Sequence, residues 1–455
     1  MSESRFMSIL FDTKKNIAAI IVYTVIMLLV SPLFPGVTWF RLGDFTLDVV
    51  NFYHTIMIPL ALLIIILTAK VFNLPKMIQK IANISTYPVL VFSVIGLVLF
   101  YPTASSIVIA DEVAQGIRDV IVVLDALLLV IGLLMFPFRN RNDFRNTWGA
   151  YAVVLLASIA ASIAGVVGMI LEWGDISNGY SSIAFFQNYV NSVGGTSTFL
   201  GNAWTMHSHM IPPAIMGGIV GLTAVIFGYQ KLSSGYRAIV NLGLIVSTIG
   251  IISMSSLYWI STFGTYVIPA VFTSGPGGVN GLALDDTQTG LIGIGALIAI
   301  VGLVKTLDST KGGKYIQIAA IGTWVGAMAA MLGIGYLIEF NEAYYGFGDP
   351  SQGAGALYDQ AFSDGHLLYI FLMLIIAATF FATLYYYGKS AEKSIRIPAY
   401  LGISGIALGF IGLQVYTMDL SWYVEAIGLW LLFMSFVAVA VPMIRVKEPK
   451  NVPAN

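Results

Sequence analysis

All four histidines of the chain, His54, His207, His209 and His366, stand at the starts of three apolar runs, and the intervals from 54 to 207 and from 209 to 366 are nearly equal. There is no cysteine, so imidazole is the only strong nitrogen or sulfur ligand available for a redox metal. Thiolate-bound iron–sulfur clusters and disulfides are excluded on the same ground. Four imidazoles make two pairs, and a pair on opposite faces of one iron is the axial ligation of a low-spin b-type heme. His207 and His209 lie two residues apart, roughly 200° around a helix axis, so they address different neighbours. The simplest arrangement couples His54 with one of them and His366 with the other, giving two hemes b with these four side chains as iron ligands. Which member goes with which partner stays open. A single tetra-histidine metal centre is the competing arrangement; it requires a distorted helix, which Pro212 and Pro213 can supply by removing backbone donors.

The elements that must position these rings follow from composition. Of 455 residues, 58% are hydrophobic and only 10% charged, the profile of a polytopic membrane protein. About twelve apolar runs are long enough to span a bilayer, centred near residues 25, 61, 96, 127, 159, 217, 246, 297, 326, 376, 407 and 433. Stretches near 180–200 and 263–274 are too broken by Gly, Pro, Ser and Asn to count. The segments between runs alternate in charge. Lys14 and Lys15, Lys70 to Lys80, Arg139 to Arg145, Lys231 and Arg237, Lys305 to Lys314, Lys389 to Arg396 and Arg445 to Lys450 occupy one set. Asp44 and Asp48, Asp111 and Glu112, Glu172 and Asp175, Asp285 and Asp286, and Glu339 to Asp359 occupy the other. By the positive-inside rule both termini are cytoplasmic and the acidic loops face out.

The first apolar run starts near Asn16 and is long enough to remain as a helix, so no cleavable signal peptide is expected. The chain reads as one transmembrane domain over 1–455, all-α, in the cytoplasmic membrane of a prokaryote. Its extended outer loops fall near 173–202, 261–287 and 340–363. Basic and acidic residues balance at 22 and 23, and no nucleic-acid partner is expected. The partners implied are lipid, quinone and redox protein subunits on the outer face.

On this topology runs 2, 6 and 10 all descend from the outer face, placing the histidines at one depth, about one helical turn inside. Gly201, Gly217, Gly218 and Gly221 on run 6 would admit a flat macrocycle or a neighbouring helix, and helix packing is the default. Tyr53, Trp204, Tyr258, Trp259 and Tyr369 are equally explained by an interfacial aromatic belt. Among the acids, Asp125 lies mid-membrane, suited to a proton relay or to a structural hydrogen bond. Asp364, two residues before His366, and Glu172 or Asp175 after run 5 are candidate proton acceptors if quinol is oxidised here, because quinol loses protons with its electrons. Ordinary solvated loop acids are the competing reading.

The pattern resembles the catalytic subunit of the heme-copper oxidase superfamily. The resemblance lies in twelve helices with cytoplasmic ends, a pseudo-threefold set of four-helix arcs, and histidines near the outer ends of helices 2 and 10. Tyr53-His54-Thr55-Ile56-Met57-Ile58 is similar to the helix 2 heme-ligand motif, and Gly365-His366-Leu367-Leu368-Tyr369 resembles the helix 10 motif. The copper ligands of that family are missing. Pro213 occupies the place four after His209 where oxygen-reducing members keep a tyrosine, and run 7, Leu242 through Trp259, has no histidine. Leu368 stands where the second histidine of the helix 10 motif would be, while run 6 has gained a His-x-His. The resemblance therefore implies a respiratory-chain cytochrome that transfers electrons through six-coordinate iron and binds no copper.

A secondary transporter of twelve helices is the alternative from another class. It would be built from six-helix repeats with buried ionisable groups near the midplane. The histidine spacing here repeats at about four helices instead. The loop Phe72-Asn73-Leu74-Pro75-Lys76 also lacks a Gly-Asp-Arg-Gly type of signature.

Overall fold

The computed structural model describes residues 10–30, 37–38, 41–42, 47–100, 108–176, 191, 196–263, 282–308, 314–330, 371–387 and 396–405, with scattered helical positions up to 438. Ten long helices run through them: α1 (Thr13–Val30), α2 (Leu47–Val71), α3 (Lys76–Phe100), α4 (Val108–Arg139), α5 (Arg141–Ile176), α6 (Thr196–Ile226), α7 (Ser234–Phe263), α8 (Leu282–Leu303), α9 (Lys314–Ala330) and α10 (Phe371–Tyr387). Each coincides with one of the first ten apolar runs. The eleventh run is represented by helical residues 396–405, and the twelfth lies almost wholly outside the described residues. Six of the helices are long and apolar enough to cross a membrane, so the chain is a multi-pass membrane protein. The one non-helical pairing described is a small hairpin after α1, with β1 (Val37–Thr38) antiparallel to β2 (Arg41–Leu42) and Thr38 opposite Arg41.

A bilayer leaves no water for backbone groups, which forces helix even through residues that break it in water. Pro59 lies inside α2, Pro88 inside α3, Pro137 inside α4, and both Pro212 and Pro213 inside α6, without ending any of them. Helices also run past their apolar cores. α5 continues to Ile176 and α6 begins at Thr196, so the outer loop expected over 173–202 is shortened at both ends; the one expected over 261–287 loses its ends to α7 and α8 in the same way. Asp111 and Glu112 sit in the first turns of α4.

The packing is inside-out relative to a soluble bundle. Along α4 the exposed positions are Val113, Ile117, Val120, Leu124, Leu127, Ile131 and Leu134, an apolar stripe at helical spacing that suits lipid. The opposite face buries Arg118, Val122, Asp125, Leu129 and Leu133. Close helix contact is made through small residues. Gly218 and Gly221 of α6 lie against Ala157, Val153 and the Ala150 carbonyl of α5, and Gly217 against Ile251 of α7 and Ile292 of α8. These three glycines serve helix packing, the default reading. At the α7–α8 seam Gly243 and Gly295 bring backbone to backbone, Gly302 meets Val240, and the Ser247 hydroxyl donates to the Ile292 carbonyl at 2.9 Å.

At the far end of α6 the chain turns through Gly228, whose φ of 75° a side chain would disfavour, into a short 3-10 turn at Tyr229–Lys231. Tyr229 is fully buried there. Its hydroxyl donates to Asn241 Oδ1 at 3.3 Å and lies beside the Ala150 carbonyl, joining α5, α6 and α7. Burial pushes its phenol up to about 12.

Candidate functional site

The three helices that carry or lead from the histidines are mutual neighbours: α2 packs on α6, and α10 packs on both. Aromatic contacts fix part of this arrangement. Phe381 of α10 meets Phe227 beyond the end of α6 edge-on at 6.0 Å, and stacks on Trp324 of α9 at 6.4 Å. The Trp324 indole N–H donates to Thr223 of α6 at 3.3 Å.

His54 is the eighth residue of α2 and His207 the twelfth of α6, roughly 10 and 16 Å of rise from the helix starts. That is two to three turns from the helix starts, because both helices begin before their apolar cores; the apolar span of α2 itself begins at His54. The two rings are neighbours, with centroids 6.0 Å apart and planes 18° from parallel. Two metal–nitrogen bonds of about 2 Å each, extended to the ring centres, separate a pair of imidazoles on one metal by about 6 Å when both are edge-on to it. The centroid spacing matches that value; turning the rings edge-on is what ligation would require of them.

His207 is also oriented from behind. Its Nδ1 lies 2.9 Å from the Ala164 carbonyl of α5. A carbonyl oxygen only accepts, so Nδ1 carries the proton and the ring lone pair is on Nε2. Metal-binding histidines are commonly set this way, by a backbone carbonyl on the other nitrogen. Gly168, one turn further along α5, makes the approach possible: a Cβ there would collide with the Cε1 and Nδ1 atoms of His207. The run of contacts from Ala164 and Gly168 against His207 to Ala150 against Gly221 shows α5 and α6 antiparallel.

The remaining expected site residues fall differently. His209 lies on helix α6, which continues through Pro212 and Pro213. Its side chain, like His366 and Asp364, is outside the described residues. Among the described residues no group of three or more His, Asp or Glu side chains comes together. Glu172 is within the last turns of α5 and not beyond it. Asp125 is 3% exposed, lies beside Ser85 of α3, and its Oδ2 has no hydrogen-bond partner.

One pair of charges escaped the sequence reading. Arg118 is only 1% exposed, and its Nε donates to Asp119 Oδ1 at 2.6 Å. Asp119 is within electrostatic reach of His207, and Arg118 of Tyr23 on α1. The signal was present: an arginine ten residues into a helix that starts at Val108 is inside the membrane-spanning stretch, where a charge is expensive and marks a functional site by default. It was hidden because Asp111 and Glu112 just before it make the whole stretch read as loop.

No protein-family model, no curated protein and no solved structure matches this chain.

Proposed function

We propose that the chain is a membrane-bound b-type cytochrome, a divergent relative of the heme-copper oxidase catalytic subunit without its copper site, which passes electrons between quinol and a redox partner on the outer face. The observation that carries this reading is the neighbouring pair His54–His207, at the separation of two imidazoles on one metal and with the His207 tautomer set by Ala164. The full arrangement comprises twelve helices with both termini cytoplasmic. The heme, when bound, supplies a one-electron iron couple.

His54 and His207 would together hold one iron, and the Ala164 carbonyl, by accepting from His207 Nδ1–H, leaves Nε2 as the nitrogen free to ligate. His209, about 200° around the helix from His207, and His366, before the start of α10 in the sequence, would hold the second iron. Irons held only by imidazoles would supply electron transfer and not oxygen binding. Asp125, in the buried face of α4, Asp364 and Glu172 are the groups we assign to accept protons released from quinol.

Heme content of the purified full-length protein, measured as pyridine hemochrome, tests the reading. Two hemes b per chain are expected. His54→Ala and His207→Ala should each remove the same single heme, so that the double variant loses no more than either alone, while His366→Ala removes the other. Purified protein with no b-type heme sinks the reading, and additive losses from His54→Ala and His207→Ala sink the pairing.

A further inference from the structure

The first four helices pack together, α1 on α2 and α3, α2 on α3 and α4, and α3 on α4. Where they meet, three buried polar atoms from three helices have no hydrogen-bond partner: the Tyr23 hydroxyl of α1, the Ser93 hydroxyl of α3 and Nη1 of Arg118 on α4. Ser93 and Thr55 lie beside the Tyr23 hydroxyl, and the Arg118 guanidinium is within electrostatic reach of it, so the three atoms belong to one cluster. Ser93 is fully buried, Tyr23 is 8% exposed and Arg118 1%.

All three atoms carry hydrogens to donate. Arginine has donors and no acceptor, and a phenol or an aliphatic hydroxyl can each give one hydrogen. Leaving such groups unsatisfied in a membrane interior costs far more than hydrogen-bonding them, and native structures retain few examples. Asp119 engages Nε of Arg118 and leaves the buried Nη1 without a partner. What three convergent donors and one cation lack is an anionic oxygen acceptor, and the geometry of a guanidinium matches a carboxylate in particular.

The cluster adjoins the histidine pair on two sides. Thr55, beside Tyr23, is the residue next to His54, and Asp119, the partner of Arg118, is within electrostatic reach of His207. Arg118 lies ten residues into α4 and His207 eleven into α6, a similar rise along their helices. We propose that Arg118, Tyr23 and Ser93 form a carboxylate-binding site that takes a propionate of the macrocycle held between His54 and His207. The proposal rests on the cytochrome reading and goes beyond it by assigning the residues that fix how the macrocycle is rotated about the iron–histidine axis.

Full-length protein produced under heme limitation and reconstituted with heme b, or with heme b dimethyl ester whose carboxylates are capped, tests it. The readout is the loss of the low-spin Soret band when excess apomyoglobin is added. Wild-type protein should release the ester roughly 10- to 100-fold faster than heme b, the range expected for losing a charge-assisted hydrogen bond. In Arg118→Gln the two macrocycles should leave at similar rates. Tyr23→Phe and Ser93→Ala, which remove one hydroxyl each and leave the Arg118–Asp119 pair intact, should narrow the difference by a few-fold and keep the test available if Arg118→Gln does not fold. Equal release of heme and ester from wild-type protein overturns the carboxylate site while leaving the cytochrome reading standing. Failure to bind either macrocycle overturns both.

Discussion

At the seam between α7 and α8 the helices meet through Gly243, Gly295 and Gly302, and the buried Ser247 hydroxyl finds the Ile292 carbonyl. Among α1 to α4 the contacts instead enclose an arginine, a tyrosine and a serine whose polar atoms are left without partners. Both regions sit in the same apolar solvent and obey the same packing rules. The first is complete as protein alone, in the sense that its close approach and its hydrogen bond are satisfied within the chain. The second is not, and its partnerless atoms are the ground of the carboxylate site proposed above. The useful contrast is thus between satisfied and unsatisfied interiors; hydrophobicity does not separate them.

The largest effect that tests this contrast is Gly243→Val. A side chain there meets the backbone of Ala299 and Gly295, which cannot yield. Loss of roughly 3 kcal/mol or more is expected, seen as loss of a monodisperse peak in size-exclusion chromatography. A well-folded variant would show that the seam has slack and weaken the comparison. Gly168→Ala acts at the boundary between packing and chemistry, because its methyl would occupy the His207 ring position. Heme retention should fall about 10- to 100-fold, the usual effect of disturbing a group that orients a metal ligand, while thermal stability of the heme-free protein changes little. A stability loss with unchanged heme retention would show that Gly168 belongs to packing alone.

Tyr229 gives an effect of intermediate size. Its folded-state value is raised from 10.0 to about 12, so the stability it contributes is complete below pH 10 and is lost as pH rises through about 12. Thermal melts in that window should show wild-type protein losing roughly 2–3 kcal/mol that Tyr229→Phe does not lose. Parallel decline of both proteins would refute the assignment. The smallest effect is the sharpest comparison. In heme-free protein Ser247→Ala should cost about 1 kcal/mol, because it removes the hydroxyl's bond across the seam to the Ile292 carbonyl, whereas Ser93→Ala should be neutral or slightly stabilising, because it removes a buried group that had no partner. Equal costs for the two serines would mean that the α1–α4 cluster is satisfied after all.

The helices were legible because a bilayer couples length, apolarity and helix so tightly that prolines inside α2, α3, α4 and α6 do not matter. His54 and His207 were legible as candidates by residue type and by position along their runs. Their pairing was not, since it depends on how α2 and α6 are rotated about their axes, and in a membrane both the lipid face and the core face of a helix are apolar. The second imidazole pair remains as the sequence left it, because His366 and the His209 side chain lie outside the described residues. Gly217, Gly218 and Gly221 of α6 lie against neighbouring helices, the default reading, but Gly168, which matters more to the site, gave no sign of its role: its partner is 39 positions away on another helix. Arg118 was missed for a boundary reason, since only the start of α4 at Val108 separates a membrane-embedded arginine from a loop one.

The contact between His207 and the Ala164–Gly168 turn has a consequence for biogenesis. It is made by two helices adjacent in the chain, so the imidazole can be set in its tautomer and angle as soon as α5 and α6 have left the ribosome and docked. His54 is already in the membrane by then. The pair is therefore complete once residue 226 has been inserted, about half-way through synthesis. On the proposed function, the first half of the chain would hold a finished receptor while the second half is still being made, and the order of translation would become an order of loading.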